Sequence, residues 1–371
     1  MSELKCSLLR ENLQKAIPAV SRLVSAKSAL PVLQNILLRT ENGRLKLAAT
    51  DLEMGITYLV GAKIDRNGDI TVPSKILTEF ISQNTDDKLE FEVVDDSLKI
   101  SSEKYQANLR GIDAKEFPLI PELKSAELFN LEASALREAI SQVVFSAAQD
   151  ESRPVLSGVL FKIKDATLKM VATDSYRLAE KTIELPNKVK GEVSLIVPSR
   201  ALLELARILG PIEGKVAIAS SENQILFSVA DEVQLISRLI EGQFPAYEQI
   251  IPKESETRAV FATNDLAAGV RVASIFARES ANNVKLSLLP EAGVLNISAT
   301  TLQVGENTSK ISGEITGKEN EISFNCKFVL DVLAVIKDEK VALEIAGKLS
   351  PGVIKPVDKK DYVYIIMPLR A

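Results

Sequence analysis

Residues 45–56 read LKLAATDLEMGI, and related stretches read LKMVATDSYRLA at 168–179 and LNISATTLQVGE at 295–306. In each stretch, alternating apolar residues lead through an Ala-Thr step to Asp, Asp and Thr in turn. The threonines of that step are separated by 123 and then by 127 residues. Solenoid repeats have periods of about 20–50 residues, so this spacing is that of a whole domain. The sequence therefore predicts three tandem domains.

The length and composition agree with this division. The chain has 371 residues, of which 46% are hydrophobic and 26% are charged, as in an ordinary folded protein. Each third is long enough to bury a core of its own. Polar tracts at 124–127 and 253–257 are the predicted linkers, which places the domains at 1–123, 124–252 and 253–371.

The spacing of the cysteines and the length of the apolar runs indicate the cellular compartment of the protein. Cys6 and Cys326 lie far apart, and neither has a partner at the spacing of a metal site or a disulfide framework. We expect both to be buried free thiols in a reducing compartment. The N-terminus has no signal-peptide pattern, and no run approaches the roughly 18 apolar residues of a membrane helix. The predicted localisation is cytoplasmic, with no membrane partner.

Each third repeats two helices and a set of short strands. Helical spacing of apolar residues recurs six times, with Asn or Ser at predicted N-cap positions, among them Ser74 and Ser199. Pro18 is expected to kink the first helix or to delay its start. Apolar runs such as 31–38 and 154–161 predict about eight strands per third, and hence an α+β fold with antiparallel sheets. The helices are predicted at 11–28, 74–82, 134–149, 199–209, 264–278 and 325–337.

The predicted helices are the cationic part of an acidic chain. The formal net charge is −5, and none of the thirds has an excess of basic residues. The helical segments contain 11 basic and 6 acidic residues, a net charge of +5. Lysine and arginine are good helix formers and enrich any helix, but glutamate is equally good and is less frequent here. The excess favours a cationic helix face, segregated from an acidic surface and suited to nucleic acid.

The chain lacks the residues of common catalytic sites. It contains no histidine, which excludes His-based acid–base catalysis and zinc sites of mixed ligands. Asp51 and Asp174 occupy equivalent positions, but the third repeat has Thr301 there, so an Asp that forms a turn after a strand is favoured over a catalytic pair. An enzyme site between domains, built from Asp51, Asp174 and Arg177, is one alternative. A repeat-built docking platform that does not bind DNA is another.

Over its full length the sequence resembles the beta subunit of bacterial DNA polymerase III, the replicative sliding clamp. Several motifs carry the resemblance through their order and spacing. They are LPVLQNIL at 30–37, ATDLEM at 49–54, VATDSYRLA at 171–179, IVPSR at 196–200, GQFPAY at 242–247 and YIIMPLR at 364–370. The resemblance implies three tandem copies of a DNA-clamp domain, and a head-to-tail homodimer whose six domains form a ring with the helices around the hole. It also implies that the protein tethers a polymerase to DNA for processive synthesis, without catalysis, metal or cofactor.

Double-stranded DNA is the first partner that the resemblance implies. Pro154 and Val155 stand where some family members have aromatic residues next to the duplex. The family's duplex contacts fall on Lys27, Lys75, Gln149 and Arg153. Helix charge alone adds further candidates for the channel. These are Arg22, Arg137, Arg200, Arg207, Arg271 and Arg278.

The second implied partner is a short linear motif with Leu and Phe anchors, carried by the polymerase alpha subunit, the clamp loader, and repair and translesion polymerases. In the family an apolar pocket between the second and third domains receives it. Ser175 and Tyr176 replace a common Gly-His, and Gln249 replaces a common Arg, which predicts an altered partner preference. Met367 would adapt to varied partners. The pocket positions are Leu156, Thr173, Ser175, Tyr176, Arg177, Leu178, Pro245, Val363, Ile365, Ile366, Met367, Pro368, Leu369 and Arg370.

A head-to-tail ring joins the first domain of one copy to the third domain of the next. Apolar residues in a helix or an edge strand are candidates for that contact, and a place in the domain core is the alternative for each of them. The candidates are Ile76, Phe80, Ile81 and Leu109 in the first domain, and Ala273, Ile275, Phe276 and Leu302 in the third.

Overall fold

The computed structural model describes residues 3–24, 30–121, 123, 127–150, 152–210, 212–301 and 305–369. Six α-helices and 23 β-strands lie within these ranges. The helices are α1 (Arg10–Ser21), α2 (Ser74–Gln83), α3 (Ala133–Val143), α4 (Ser199–Leu209), α5 (Thr263–Ala277) and α6 (Cys326–Val335). The chain forms two compact units, one of residues 1–137 with 200–239, the other of 138–199 with 240–371.

The first unit is built on one sheet of 12 strands. Its strands are β1 (Lys5–Leu9), β2 (Asn35–Glu41), β3 (Arg44–Thr50), β4 (Met54–Arg66), β5 (Asp69–Pro73), β6 (Lys88–Val94), β7 (Ser97–Ser101), β8 (Gln106–Arg110), β9 (Glu127–Glu132), β12 (Lys215–Ser220), β13 (Gln224–Val229) and β14 (Val233–Arg238). The main path is β8-β7-β6-β1-β4-β14-β13-β12-β9, and a branch runs from β4 through β3 and β2 to β5. Helix α1 packs against α2 and strands β3 and β4, with its Leu13, Ile17 and Val20 side chains buried.

The second unit contains a sheet of seven strands and a sheet of four. Its strands are β10 (Gly158–Thr173), β11 (Arg177–Pro198), β15 (Thr257–Ala262), β16 (Asn283–Leu289), β17 (Val294–Thr301), β18 (Gly305–Ser312), β19 (Glu314–Gly317), β20 (Asn320–Asn325), β21 (Lys340–Ile345), β22 (Gly352–Pro356) and β23 (Tyr362–Ile366). The sheets run β10-β11-β23-β22-β21-β15-β19 and β18-β17-β16-β20. Helix α5 packs against α6 and against the smaller sheet.

Sheets cross the boundaries of the sequence repeat. Strand β4 of the first repeat pairs with β14 of the second, with Ile56 opposite Leu235. Strand β11 of the second repeat pairs with β23 of the third, with Leu178 opposite Ile365. The pairings between the named strands are antiparallel, which confirms the predicted sheet type. The compact units therefore differ from the sequence thirds, whose boundaries stay a prediction.

The alternating pattern places the strands correctly, except that two of them begin later than predicted. In β6, for example, Leu89, Phe91 and Val93 are buried and their neighbours face outward, as period-two alternation requires. The predicted strands at 31–38 and 154–161 instead open with 3-10 turns at Pro31–Gln34 and Pro154–Ser157. A proline without an N–H and with fixed φ suits the first position of a helical turn. Strands β10 and β11 are also longer than predicted, at 16 and 22 residues.

The helix boundaries differ from the prediction at several ends. The first helix ends at Ser21 and not at 28, and the third ends at Val143, followed by a 3-10 turn at Val144–Ser146. Pro18 lies inside α1 and does not delay its start, since the helix begins at Arg10. A proline late in a helix forfeits one backbone hydrogen bond, and α1 ends three residues later.

The predicted N-caps of helices α1, α2 and α5 are wrong. Helices α1, α2 and α5 are preceded by Leu9, Pro73 and Ala262, none of which forms a side-chain cap bond. Ser74 is the first residue of α2, because strand β5 runs directly into the helix. In α6, by contrast, the Asn325 side chain accepts a hydrogen bond from the Lys327 amide at 3.0 Å, as an N-cap does.

Both cysteines are buried and unpaired, as predicted. Burial, with a smaller contribution from the Asp65 carboxylate, raises the pKa of the Cys6 thiol to about 12. Among the described residues, no helix is long and apolar enough to cross a membrane. The described part of the chain also holds no group of three or more His, Cys, Asp or Glu side chains placed to bind a metal ion.

Candidate functional site

A tight turn between β10 and β11 forms the rim of the candidate site. The Thr173 hydroxyl donates to the Arg177 carbonyl oxygen at 2.6 Å and accepts from the Ser175 amide at 3.1 Å. The Asp174 carboxylate accepts from the amides of Tyr176 and Arg177, each at 2.9 Å. Ser175 has φ of 77°, a conformation that costs a residue with a β-carbon about 1–2 kcal/mol. The turn-forming role predicted for Asp174 is confirmed.

Pairing of β11 with β23 brings the C-terminal segment to this turn. Leu178 lies opposite Ile365, and the Met367 amide donates to the Tyr176 carbonyl oxygen at 2.9 Å. Two groups of predicted pocket residues, far apart in the sequence, are therefore neighbours in the second unit.

An apolar cluster lies next to this junction. Its buried members are Leu160, Val171, Leu178, Ile196, Tyr247, Val353 and Ile365, and the partly buried side chains packed on them are Val155, Ile240, Phe244, Ile251 and Val363. Burial, and next the Glu180 carboxylate, raise the pKa of the Tyr247 hydroxyl, so the tyrosine in this cluster stays neutral. Phe244 and Tyr247 are not among the predicted pocket positions, although the GQFPAY motif contained the signal for them.

The predicted pocket positions divide into a floor and a rim. The rim residues Ser175, Tyr176, Pro245 and Met367 are exposed. Val363, Pro368 and Leu369 are half-buried, and Arg370 lies outside the described residues. The buried positions are Leu156, Thr173, Leu178, Ile365 and Ile366. A buried apolar floor with an exposed rim is the arrangement that a peptide anchor requires.

Arg177, one of the predicted pocket positions, makes several contacts within the second unit. Its side chain is only 9% exposed and pairs with Asp331 at 2.5 Å and with Asp174 at 3.0 Å. The guanidinium also lies over the rings of Phe328, at 4.4 Å, and Phe145, at 5.5 Å. Burial lowers the pKa of Arg177, but the Asp331 hydrogen bond and further acidic neighbours raise it more. The side chain therefore ties the turn to helix α6.

The candidate DNA contacts of the second unit are exposed. Gln149, Arg153, Arg271 and Arg278 all lie on the surface of this unit. Arg153 donates to the Ser175 hydroxyl at 3.1 Å, so a predicted DNA contact touches a predicted pocket residue.

The described basic candidates of the first unit are exposed too, but most have intramolecular partners. The Glu204 carboxylate pairs with Arg22 at 2.9 Å and also with Arg207. Arg137 donates to the Gly210 carbonyl oxygen at 2.8 Å, just beyond the end of α4, where a cation is favourable. Arg200 pairs with Asp51 at 2.8 Å, Lys75 is exposed, and Lys27 lies outside the described residues.

The charge excess of the helices is smaller than predicted. With the observed boundaries, the six helices contain eight basic and six acidic residues. Arg22, Arg278 and Lys337 fall after helix ends, and Lys27 lies outside the described residues, whereas Arg10 is now included. The predicted excess of +5 is therefore wrong, and helix charge alone is weak evidence for a DNA-facing surface.

The candidates for a contact between copies divide by burial. Ile81, Leu109 and Ala273 are buried in the chain's own core, so the structure contradicts their assignment to an interface. Ile76 and Ile275 are exposed large apolar residues. Phe80 and Phe276 are half-buried, and Leu302 lies outside the described residues.

Comparisons with known proteins agree over nearly the whole chain. Models of the N-terminal, central and C-terminal domains of the DNA polymerase III beta subunit match residues 4–121, 130–246 and 248–370. The beta sliding clamp of Synechococcus elongatus is 33% identical over 371 residues, covering 97% of this chain and 98% of that protein. That of Bacillus subtilis is 29% identical over 378 residues, covering 99% and 100%.

Solved structures show the same likeness. The crystal structure of the DNA polymerase sliding clamp from Bacillus subtilis has a TM-score of 0.95 at 28% identity and covers 100% of both chains. That of the DNA polymerase III subunit beta from Pseudomonas aeruginosa has a TM-score of 0.92 at 30% identity, covering 99% of this chain and 100% of that one.

A repeated helix-and-sheet domain, joined through continuous sheets and carrying an apolar surface site, defines a DNA-clamp protein. Its work is association and not catalysis. The chain belongs to the family of bacterial DNA polymerase III beta subunits, the sliding clamps. Its function is that of a processivity clamp for a replicative polymerase.

Proposed function

We propose that two copies of this chain join head to tail into a six-domain ring that encircles duplex DNA. The observation that carries the proposal is the match of three successive clamp-domain models to residues 4–370. A ring retains DNA topologically, so it needs no base contact and no tightly held phosphate. It needs a diffuse positive field and water between protein and duplex, which lets the ring slide. The domains are proposed at 1–123, 124–252 and 253–371, in a cytoplasmic protein.

The proposed duplex contacts are exposed side chains of each unit, together with Lys27, which lies outside the described residues. Partial pairing of Arg200, Arg22 and Arg207 with carboxylates supports a weak, diffuse field, because a neutralised guanidinium does not hold a phosphate tightly. The full set is Arg22, Lys27, Lys75, Arg137, Gln149, Arg153, Arg200, Arg207, Arg271 and Arg278.

Retention on circular DNA tests the ring. The protein, loaded onto a primed circle with a clamp loader, should remain bound through gel filtration and should leave once the circle is cut. Changing Lys75 and Arg153 to Glu should reduce retention, with a shallower dependence of binding on salt. Lys318→Glu changes an exposed lysine just after strand β19; it is the matched control and should load normally. Unchanged behaviour on intact and cut circles would favour a docking platform that does not encircle DNA.

The first unit and the second unit each offer an apolar face to the head-to-tail contact. Ile76 and Phe80 lie on α2, and Ile275 and Phe276 lie on α5. An exposed isoleucine on each helix supports an interface, because apolar side chains at its centre are removed from water when the partner arrives. The mass in solution is expected to be about twice 40.4 kDa.

The apolar cluster at the β11–β23 junction is proposed to receive a short linear motif from the polymerase alpha subunit. The clamp loader and the repair and translesion polymerases would dock at the same place. Phe244, Val155 and Val363 are half-buried and accessible, which suits Leu and Phe anchors. Tyr176 and Met367 would close over them from the rim.

Fluorescence anisotropy with a labelled peptide that carries Leu and Phe anchors measures this docking. Met367→Glu places a charge on the rim and should weaken binding at least about tenfold, because a carboxylate must then be desolvated. Leu349→Glu changes an exposed apolar residue elsewhere in the second unit and should leave the affinity unchanged. Equal effects of the two substitutions would contradict the pocket.

A further inference from the structure

We infer that the first unit contains a second docking groove, which takes an extended peptide with aliphatic anchors followed by an acidic residue. The groove lies where β4 pairs with β14. It encloses a cavity of about 300 Å³. Its lining includes Leu52, Met54, Leu119, Ile120 and Ile236.

The backbone of this groove repeats the backbone of the pocket proposed above. The Thr50 hydroxyl donates to the Met54 carbonyl oxygen at 2.6 Å, the same distance as in the corresponding bond of Thr173. The Asp51 carboxylate accepts from the amides of Glu53 and Met54 at 3.1 and 2.8 Å. The Arg238 amide donates to the Glu53 carbonyl oxygen at 3.0 Å. Each bond has its counterpart in the second unit, where Met367 takes the place of Arg238.

The apolar floor is repeated as well. A cluster beside the groove contains Val32, Leu37, Ala48 and Phe117, with Ile120 packed against it. In the repeat these positions correspond to Val155, Leu160, Val171, Phe244 and Tyr247, which form the cluster of the second unit. The two sites therefore have equivalent backbone turns and apolar floors but different side chains on the rim.

The side chains on the rim are what point to a ligand. Leu52 has φ of 77°, a conformation that favours Gly or Asn, yet it presents an apolar side chain that is 50% exposed. Leu119, between two prolines, is 91% exposed. Strain that serves to display an apolar group is typical of a binding site. Leucines at these two positions suit aliphatic anchors on a partner.

Charge selects the rest of the ligand. Arg238 replaces the methionine of the other pocket, and Glu53 replaces the tyrosine. Their closest charged atoms are 3.8 Å apart, beyond hydrogen-bond distance, and both side chains are mostly exposed. A guanidinium with free donor directions favours a carboxylate that can bond it closely. A partner's Asp or Glu beside the aliphatic anchors meets that requirement.

The methionines allow a direct test with the full-length protein. The chain has only four. Met54 lies in the groove, Met367 on the rim of the other pocket, and Met170 is fully buried as an internal reference. With methyl-labelled methionine, the acetylated and amidated peptide Gly-Leu-Leu-Asp-Gly should shift the Met54 signal and leave Met170 unchanged. A version with Lys in place of Asp should bind more weakly.

Substitutions on the rim test each contact of the groove in turn. Leu52→Asn removes an apolar contact while relieving the backbone, and Leu119→Ser changes an exposed residue, so both proteins should fold. Each should weaken the Asp peptide about fivefold or more. Arg238→Gln should weaken it further, and Glu53→Gln should strengthen it.

Several outcomes would overturn the inference. The first is a Met54 signal that does not shift at millimolar Asp peptide, and the second is a Met54 shift that is equally large with the Lys peptide. The third is a Met54 shift that depends on protein concentration alone, which would identify a second copy of the chain as the occupant of the groove. The inference rests on the likeness between this groove and the pocket proposed in the second unit, but separate measurements test the two sites. A Met367 response to a Leu/Phe peptide, without any Met54 response to the Asp peptide, would leave the pocket standing and remove the groove.

Discussion

Replacement of Arg177 by methionine should loosen the junction between β11 and β23. The Arg177 side chain is 9% exposed, and its two carboxylate partners, Asp174 and Asp331, are 17% and 45% exposed. Loss of one member of a buried ion pair costs about 3–5 kcal/mol, because the remaining charge is left unpaired. Asp331 is half exposed, so water can solvate its carboxylate once the arginine is gone. We therefore expect Arg177→Met to lower the free energy of local opening at this junction by about 3 kcal/mol, at the lower end of that range. For Asp331→Asn we expect about 1 kcal/mol, because Asp174 still pairs with the arginine.

Hydrogen exchange at single amides measures the local stability of the junction between β11 and β23 directly. The Tyr176 and Arg177 amides donate to the Asp174 carboxylate, and the Met367 amide, just after β23, donates to the Tyr176 carbonyl oxygen. A decrease of about 3 kcal/mol in the free energy of local opening makes amide exchange about 150-fold faster. A decrease of about 1 kcal/mol makes it about fivefold faster. Peptide affinity should fall in the same order of variants.

The matched control is Arg258→Met, which removes the pair of Arg258 with Glu344 in the same unit. It should leave exchange at the turn unchanged. Exchange of Tyr176 and Met367 amides in Arg177→Met within about twofold of the parent would refute the reasoning. Lost peptide binding with unchanged exchange would show instead that Arg177 contacts the ligand directly.

Three further expectations follow from burial and backbone geometry. Neither Cys6 nor Cys326 should react with iodoacetamide at pH 8 in the folded protein, since burial raises both thiol pKa values; mass spectrometry should find both alkylated after denaturation. Gly317→Ala should lower the melting temperature well below that of Gly191→Ala, since both glycines have positive φ but only at Gly317 would a β-carbon clash with a backbone carbonyl oxygen, that of Glu256; calorimetry that ranks them equally would contradict this. Ile275→Asp should leave the chain folded by circular dichroism, because the side chain is exposed, while light scattering shows the mass falling to 40.4 kDa.

Much of the candidate site could be predicted from the sequence because its local signals are strong. The Ala-Thr-Asp step encodes a turn whose hydrogen bonds stay within five residues, and Asp51 and Asp174 behave as that pattern indicates. The position of Met367 beside Tyr176 followed only from the family resemblance. The role of Arg177 could not be predicted, because its partner Asp331 lies 154 residues away.

The sequence by itself determined the triplication, the antiparallel α+β class, the burial of both cysteines and the family. Period-two alternation, helical spacing and the length of the repeat are local or periodic properties, and they survive in the primary structure. Tertiary structure alone decided where helices end, and hence that the helix charge excess is small. It also decided that Glu204 holds Arg22 and Arg207 together, and that the same turn and apolar cluster occur in both units with different side chains around them. These features depend on which distant side chains share one space, and pairing over long sequence separations leaves no periodic trace in a single chain.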